Sequence, residues 1–401
     1  MNVKYSPFVW VSFAMVVGVM GTALISPLYA LYQETWQLKA SDISLIYVIY
    51  MGGALCGLLF LGRLPDRLGF RPIMLLGLIL ALVGTLLTLL AWNLTSLGVG
   101  RFVVGIASSM LTTSATLGLA RLVHPDNAPR LAMITSIVMV SGFGLGPLVG
   151  GLFGQWAPQP LITTYLPTVV LCSLALIIFM RLQMPEGASS GNGKPLQWRD
   201  VLPRLTWPAS HASFAFILTS CLAFLAFASF GLYASLSPLF LDKLMPWHGP
   251  VVSGTAIAAI LFGSAFTQIL SGRLSAHWCG SLGLLALGVS SLLLMANLWV
   301  NSAILFALGV ACTAIGHGMS QLAGMNMVGR IATADTRAGL FSSYLVIGYF
   351  GSMVPMMGFG WIADHWGMNA ALCTFCTLAA LIAVTVAVLF QRHPMMQPLG
   401  E

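Results

Sequence analysis

Ser26-Pro27-Leu28-Tyr29 returns as Ser237-Pro238-Leu239-Phe240, 211 residues further along the chain. Gly62-Arg63-Leu64 returns in the same way as Gly272-Arg273-Leu274, with an offset of 210 residues. An offset that hardly drifts indicates that one unit has been duplicated in tandem. Tandem halves of this kind place a binding site at their interface, near the bilayer midplane. The duplication therefore predicts the architecture of a transporter.

The composition requires a membrane. Of the 401 residues, 58% are apolar and only 7% are charged, whereas soluble domains carry about 25% charged residues. A chain this poor in charge cannot cover itself with a polar surface, so its solvent is lipid. Apolar runs of about 20 residues predict the membrane-spanning helices. Twelve such runs lie near 8–32, 43–61, 72–91, 96–120, 131–154, 161–180, 211–240, 251–271, 281–299, 303–327, 339–360 and 369–391.

These runs predict an all-α membrane protein with two pseudo-symmetric six-helix bundles. We expect the bundles to cover 1–181 and 209–401, joined by a linker over 182–208. The linker contains a stretch rich in Gly and Ser, which is typical of a flexible connection.

Basic residues mark one side of the predicted spans. Of the 17 Lys and Arg residues, 14 lie on one side, and only Lys39 and Lys243 lie on the other. Positively charged loops stay on the cytoplasmic side of a membrane. We therefore expect both termini and the linker on that side of a cytoplasmic (inner) membrane. The net charge of +7 follows this distribution, so no nucleic-acid partner is expected.

The seven cysteines are scattered, almost all of them in apolar runs. Cys373 and Cys376 have the spacing of a redox or metal pair, but no second pair or histidine cluster completes a site. We interpret them as packing residues and expect neither a metal nor a cofactor.

The loop after the second span reads Gly62-Arg63-Leu64-Pro65-Asp66-Arg67-Leu68-Gly69-Phe70-Arg71-Pro72. It resembles the cytoplasmic loop pattern G-x-L-x-D-R-x-G-R-R of the major facilitator superfamily, although Phe70 stands where a base is usual. The resemblance implies an ion-pair latch between the two halves in the outward-facing state. The alternative is a turn with ordinary positive-inside charge. The predicted latch residues are Gly62, Asp66, Arg67, Gly69 and Arg71.

Arg101 is the only Arg, Lys, Asp or Glu well inside a predicted span. Its burial costs about 2.5–3.5 kcal/mol, and such residues usually face a bundle interior or a water cavity. Gly105, one helical turn further on, is expected to leave room for the side chain. The run is similar to the fourth-helix motif of the same superfamily, which implies that Arg101 tunes a carboxylate in proton-coupled relatives. The alternative is that Arg101 snorkels to the nearby surface.

The fifth span contains Gly142-Phe143-Gly144-Leu145-Gly146-Pro147-Leu148-Val149-Gly150-Gly151. Its glycines four residues apart form one stripe, along which another helix backbone can approach closely. The run looks like the antiporter signature G-x-x-x-G-P-x-x-G-G, which implies a twelve-span drug/proton antiporter or a close exporter. A kinked, tightly packed helix is the alternative interpretation. The five matched positions are Gly142, Gly146, Pro147, Gly150 and Gly151.

No span interior contains Asp or Glu, although many drug/proton antiporters carry an acid in the first helix. The nearest carboxylates are Glu34, Asp42 and, in the related loop of the second half, Asp242. A carboxylate holds its proton in a poorly hydrated site and releases it beside a cation such as Arg101. We therefore predict Glu34, or else Asp42, as the proton carrier. The alternative is that both are ordinary loop charges.

His317 lies midway along the tenth span, between Gly316 and Gly318. Imidazole titrates near neutral pH, which suits proton exchange. A histidine between two glycines can equally be a hydrogen-bonded packing residue.

Aromatic residues near Pro27 and Pro238 predict an apolar cavity for amphipathic molecules. Helix packing, an interfacial belt and lipid contact are the alternatives for each ring. The predicted substrate contacts are Tyr29, Tyr32, Tyr47, Tyr50, Phe227, Phe230, Tyr233, His317 and Tyr344.

Together these features predict a monomeric secondary active transporter that exports small amphipathic molecules by proton antiport and alternating access. A dedicated exporter of one metabolite, such as a sugar, siderophore or amino-acid derivative, and a proton-independent facilitator remain alternatives. An enzyme is not expected, since the sequence has no metal cluster, nucleophile–base pair or paired carboxylates. It also has no G-x-x-x-x-G-K-[ST] phosphate loop.

Overall fold

The computed structural model describes residues 7–122, 128–184, 201–244, 246–247, 249–333 and 335–397. Within these ranges every regular element is helical, and 12 helices are long and apolar enough to cross a membrane. The predicted fold class and the twelve spans are confirmed. The helices are α1 Pro7–Trp36, α2 Ala40–Leu61, α3 Phe70–Leu89, α4 Leu94–Leu122, α5 Ala128–Trp156, α6 Pro160–Arg181, α7 Ser210–Leu241, α8 Pro250–Arg273, α9 Ala276–Val300, α10 Ala303–Ile331, α11 Arg337–Trp366 and α12 Met368–Arg392.

The chain divides into two compact units. The first comprises Met1–Leu28 and Ile49–Pro203, and the second comprises Tyr29–Val48 and Arg204–Glu401. The end of α1 and the start of α2 thus group with the second half of the sequence. Most of the predicted linker, 185–200, lies outside the described residues.

In the first unit, α1 lies against α4, α5 and α6, and α3 lies against α4. Its core contains Met15, Leu111 and Phe179, all fully or almost fully buried. Small residues let these helices approach closely, as is common in membrane bundles. A Cβ added to Gly100 would lie 2.8 Å from the Thr88 backbone nitrogen.

In the second unit, α9 packs against α10 and α12, and α7 packs against α11. Its core contains Leu222, Leu287 and Phe390. The helices are again close where glycine is present, since a Cβ on Gly283 would lie 2.8 Å from the Ser320 backbone nitrogen.

The two Ser-Pro-Leu repeats interrupt their helices differently. In α1, the α-helical part Pro7–Ala23 is followed by a 3₁₀ turn at Ser26–Leu28. In α7, a π-helical segment at Leu232–Leu236 lies immediately before Ser237, whose hydroxyl donates a hydrogen bond of 2.7 Å to the Tyr233 carbonyl. Proline removes a backbone donor, so an interruption before each proline is expected.

Candidate transport site

The guanidinium of Arg101 is buried in the first unit, with only 2% of the residue exposed. Nη2 donates to the Thr22 carbonyl at 2.5 Å, and Nη1 donates to the Gly21 carbonyl at 3.4 Å. The guanidinium carbon lies 4.5 Å from the ring centroid of Tyr50, a cation–π contact. The Arg101 side chain therefore does not snorkel to the surface, because its guanidinium points into the first unit.

The position of Arg101 follows from the interruption of α1. Gly21 and Thr22 lie in the last turn of Pro7–Ala23, where helix carbonyls lack intrahelical partners and the helix dipole is negative. The cation therefore caps this helix end. The remaining guanidinium nitrogen, Nε, is buried with no hydrogen-bond partner among the described residues.

The expectation for Gly105 was wrong. A Cβ there would meet the Tyr50 carbonyl oxygen and lie 2.7 Å from the Ala54 nitrogen. Gly105 therefore allows α2 to approach α4, and does not make room for the arginine.

The predicted proton carriers Glu34 and Asp42 both lie in Tyr29–Val48, within the second unit. Glu34 is exposed near the end of α1. The Asp42 carboxylate accepts a hydrogen bond of 2.9 Å from the Lys39 backbone N–H, so it caps its own helix. Their role in proton coupling stays a prediction.

His317 lies in a cluster of rings within the second unit. Its Nδ1 is 2.8 Å from the Ser264 hydroxyl oxygen, and its ring centroid is 5.8 Å from Phe230 and 6.3 Å from Phe227. Tyr349 continues the cluster, 5.6 Å from Phe227. We call His317, Phe227, Phe230 and Tyr349 the His317 patch. All four are half-buried, so they can contact a small molecule.

The sequence did not indicate the partners that orient His317. Ser264 holds one ring nitrogen and receives a hydrogen bond of 3.4 Å from Gln268 Nε2. Both lie on α8, and neither has a distinctive spacing relative to His317. A hydroxyl that fixes one imidazole nitrogen leaves the other available to a ligand.

Two of the other predicted aromatic contacts have partners of their own. Tyr47 donates to or accepts from the Ser352 hydroxyl at 2.6 Å, and Tyr50 lies beneath Arg101. The remaining four are covered by other side chains, so their role in substrate binding stays a prediction. They are Tyr29, Tyr32, Tyr233 and Tyr344.

The glycine stripe of α5 faces α1. A Cβ on Gly142 would lie 2.9 Å from the Val16 carbonyl oxygen, and one on Gly146 would meet the Met20 carbonyl. A Cβ on Gly150 would meet the Leu24 carbonyl. Backbone atoms of α1 therefore occupy the space at Gly146 and Gly150, whereas the nearest atom at Gly142 belongs to the Val19 side chain. Pro147 lies inside the helix, and Gly151 is buried.

The predicted latch loop contains a short helix, Leu64–Leu68, with Asp66 exposed in its first turn. Gly69 has φ 91°, which favours glycine. Arg71 Nη2 donates to the Met180 carbonyl at 3.1 Å and so links the start of α3 to the end of α6. The latch function of Gly62, Asp66, Arg67, Gly69 and Arg71 stays a prediction.

An apolar groove of about 730 Å³ lies between α8 and α10. Its polar side chains are Thr255 and Thr267, and the Thr267 hydroxyl donates to the Gly263 carbonyl of its own helix at 2.8 Å. The groove thus offers few groups that could orient a polar ligand.

Within the described ranges, no three His, Cys, Asp or Glu residues form a group that could hold a metal ion. Cys373 and Cys376 carry free thiols, and Cys376 is fully buried. Its burial fits the interpretation as a packing residue.

Comparison with known proteins gives consistent results. Residues 11–281 match the family model described as Major Facilitator Superfamily. The multidrug resistance protein MdtM of Salmonella typhimurium is 31% identical over 147 residues, which cover 36% of this chain and 34% of that protein. The chain thus aligns with only about a third of that relative.

Two further comparisons cover most of the chain. The gentisate transporter of Corynebacterium glutamicum is 23% identical over 380 residues, which cover 89% of this chain and 81% of that protein. A crystal structure of a POT family transporter in complex with 5-aminolevulinic acid has a TM-score of 0.77 at 16% identity, covering 95% of this chain and 94% of the other. At this identity the structure is evidence for the fold alone.

Proposed function

Because the chain belongs to the Major Facilitator Superfamily, we propose that it exports small amphipathic molecules by proton antiport and alternating access. It is a multi-pass membrane transporter and not an enzyme. We also propose that it is a monomer in the cytoplasmic membrane. Its termini are proposed to lie inside, because basic residues concentrate on that side of the spans.

The main support for export is the α5 glycine stripe. Its five positions match the antiporter signature, and its glycines meet the backbone of α1. The similarity to a multidrug resistance protein supports the same direction of transport. The His317 patch supplies aromatic and polar contacts of the kind that amphipathic molecules need.

A dedicated transporter of one small molecule is the second candidate. It is favoured by the alignment with a gentisate transporter, which extends over 380 residues. The buried Arg101 is also compatible with an aromatic acid, because its described partners are carbonyls and a ring and include no carboxylate.

The decisive experiment measures transport into everted vesicles, with and without a proton gradient. The paired probes are ethidium, a lipophilic cation, and gentisate, an aromatic acid. Ethidium accumulation that requires the gradient supports multidrug antiport. Accumulation of gentisate alone supports the second candidate, and gradient-independent equilibration of either probe contradicts proton coupling.

The proton-coupling residues are tested by proton release from detergent-solubilised protein when the transported probe binds. We expect Glu34→Gln to abolish the release and Asp42→Asn to reduce it less, because Asp42 already caps α2. Unchanged release from both variants would remove both carboxylates as carriers.

Replacing His317 by glutamine is expected to weaken probe binding about tenfold, because one hydrogen bond and the ring contacts contribute about 1–2 kcal/mol. The measurement is the dissociation constant of the transported probe by fluorescence titration. His365→Gln is the matched control, since His365 is exposed and bonds to the Trp361 carbonyl of its own helix. Equal dissociation constants for His317→Gln and wild type would exclude the His317 patch from binding.

A further inference from the structure

The start of α2 is capped by a carboxylate from α11. The Ala40 backbone N–H donates to Asp364 Oδ1 at 2.9 Å, and the Ser41 N–H lies 3.4 Å from each carboxylate oxygen. The first N–H groups of a helix have no partners within it. They also form the positive end of the helix dipole, which favours a negative charge. Asp42 takes the Lys39 N–H, and Asp364, 324 residues away from Ala40, takes the next two N–H groups of the helix.

Two further contacts continue along the same pair of helices. At Gly360, one turn before Asp364, a Cβ would lie 2.8 Å from Ser41 Cα and 2.5 Å from Ser44 Oγ. At Ser352 the hydroxyl bonds to Tyr47 at 2.6 Å, in a buried position. From Ser352 to Asp364 the contacts extend about 18 Å along α11.

We call these residues the α2–α11 clasp. It is formed by Ala40, Ser41, Ser44 and Tyr47 of α2 with Ser352, Gly360 and Asp364 of α11. All of them belong to the second unit. By the distribution of basic residues, the clasp lies at the end of the spans that faces outside.

The charged residues near the start of α2 and beside Asp364 have other recorded partners or are exposed. Asp42 accepts the Lys39 N–H, and Lys39 and Glu34 are exposed. His365, beside Asp364, bonds to the Trp361 carbonyl on its own helix at 2.8 Å. Among the described residues, the partners of the Asp364 carboxylate are the backbone N–H groups of α2. Its hold on α2 therefore depends on its own charge.

We infer that Asp364 is a positioning residue of the transport cycle, whose negative charge keeps the α2–α11 clasp closed. Hydrogen bonds to a charged acceptor are roughly twice as strong as neutral ones. Loss of the charge weakens both N–H contacts and removes the favourable interaction with the helix dipole. This role rests on the proposed alternating access. During the transport cycle, opening the α2–α11 clasp releases Tyr29–Val48 from the second half of the sequence.

The test measures the opening directly by pulsed dipolar EPR, without substrate or gradient. A ketone-bearing amino acid is introduced at Thr35 and Asn369 for spin labelling, so the native cysteines stay in place. Both positions are exposed and uncharged. We expect one short distance in the wild type at neutral pH. In Asp364→Asn we expect a longer distance whose population rises about tenfold, while Asp364→Glu keeps the short one.

Asp364→Glu separates the charge from a purely structural role, because it keeps the carboxylate while changing the length of the side chain. Gly360→Val serves as the positive control, because its side chain forces the helices apart whatever the charge at position 364. The inference fails if Asp364→Asn keeps the wild-type distance, or if Asp364→Glu lengthens the distance as much as Asp364→Asn does. Neither outcome depends on transport, so a failure of the proposed function would be recognised separately.

Discussion

Replacing Arg101 by methionine is expected to slow transport about 100-fold without unfolding the protein. Two hydrogen bonds from the guanidinium to the carbonyls of Gly21 and Thr22 are lost. At about 1.5–3 kcal/mol each, their loss removes about 3–6 kcal/mol from the arrangement of the α1 interruption. Removing the buried charge returns about 2.5–3.5 kcal/mol, so the net effect should lie between about 0.5 kcal/mol of stabilisation and about 3.5 kcal/mol of destabilisation.

Function should respond more strongly than stability, because the carbonyls at the end of Pro7–Ala23 lose their cation. If the transport-competent state becomes less favourable by about 3 kcal/mol, its population and the transport rate fall about 100-fold. The measurements are gradient-driven uptake into everted vesicles and thermal unfolding in detergent. Arg101→Lys keeps the charge but lacks the planar guanidinium, so its transport rate should lie between those of the wild type and the methionine variant. Wild-type transport by the methionine variant would show that Arg101 serves packing alone.

Replacing Gly150 by alanine is expected to destabilise the protein by about 1–3 kcal/mol, the usual cost of overpacking. The new Cβ would meet the Leu24 carbonyl, which belongs to the backbone of α1 and cannot rotate away. Transport should be lost as well. The new methyl group would push α1 away from α5, and the contact at Leu24 lies just before the 3₁₀ turn at Ser26–Leu28. Thermal unfolding in detergent and vesicle uptake measure the two effects.

Gly358→Ala in α11 is the matched control. Nothing lies within 4 Å of a Cβ at that position, so the change should be neutral or stabilising by up to about 1 kcal/mol through helix propensity. If both alanine variants behaved alike, close contact between α5 and α1 would not be what the glycine stripe provides.

The sequence predicts the helices well because lipid imposes a simple rule on it. A span requires about 20 apolar residues, and twelve such runs correspond to the twelve helices observed. Arg101 could also be found from the sequence, since a lone charge in an apolar run has few explanations. Its partners were harder to predict, because they are main-chain carbonyls and leave no trace in residue type.

Contacts between distant helices are the part that the sequence does not reveal. Asp364 and Ala40 are separated by 324 residues, and the repeat offsets of 210 and 211 do not relate them. The ring cluster gives a similar lesson. The sequence gives equal grounds for predicting Phe227, Phe230 and His317 and for predicting Tyr29 and Tyr344 as substrate contacts, yet Tyr29 and Tyr344 are fully buried. Residue type does not say which side of a helix faces a neighbour.

The grouping of Tyr29–Val48 with the second half also lies beyond sequence analysis. A transporter that alternates between states uses one sequence for several arrangements, so the pattern of apolar residues cannot favour one of them.

The two Ser-Pro-Leu copies have one further consequence, which concerns how the halves should be compared. The first copy is over-wound into a 3₁₀ turn, and the second follows an under-wound π segment. A 3₁₀ turn rises about 2.0 Å per residue against about 1.5 Å in an α-helix, so three residues advance the chain by about 1.5 Å more. Tyr29 and Phe240 are equivalent by sequence, but they do not stand at equivalent heights along their helices. Any inhibitor designed for one half by copying symmetry-related positions from the other would be out of register beyond the proline.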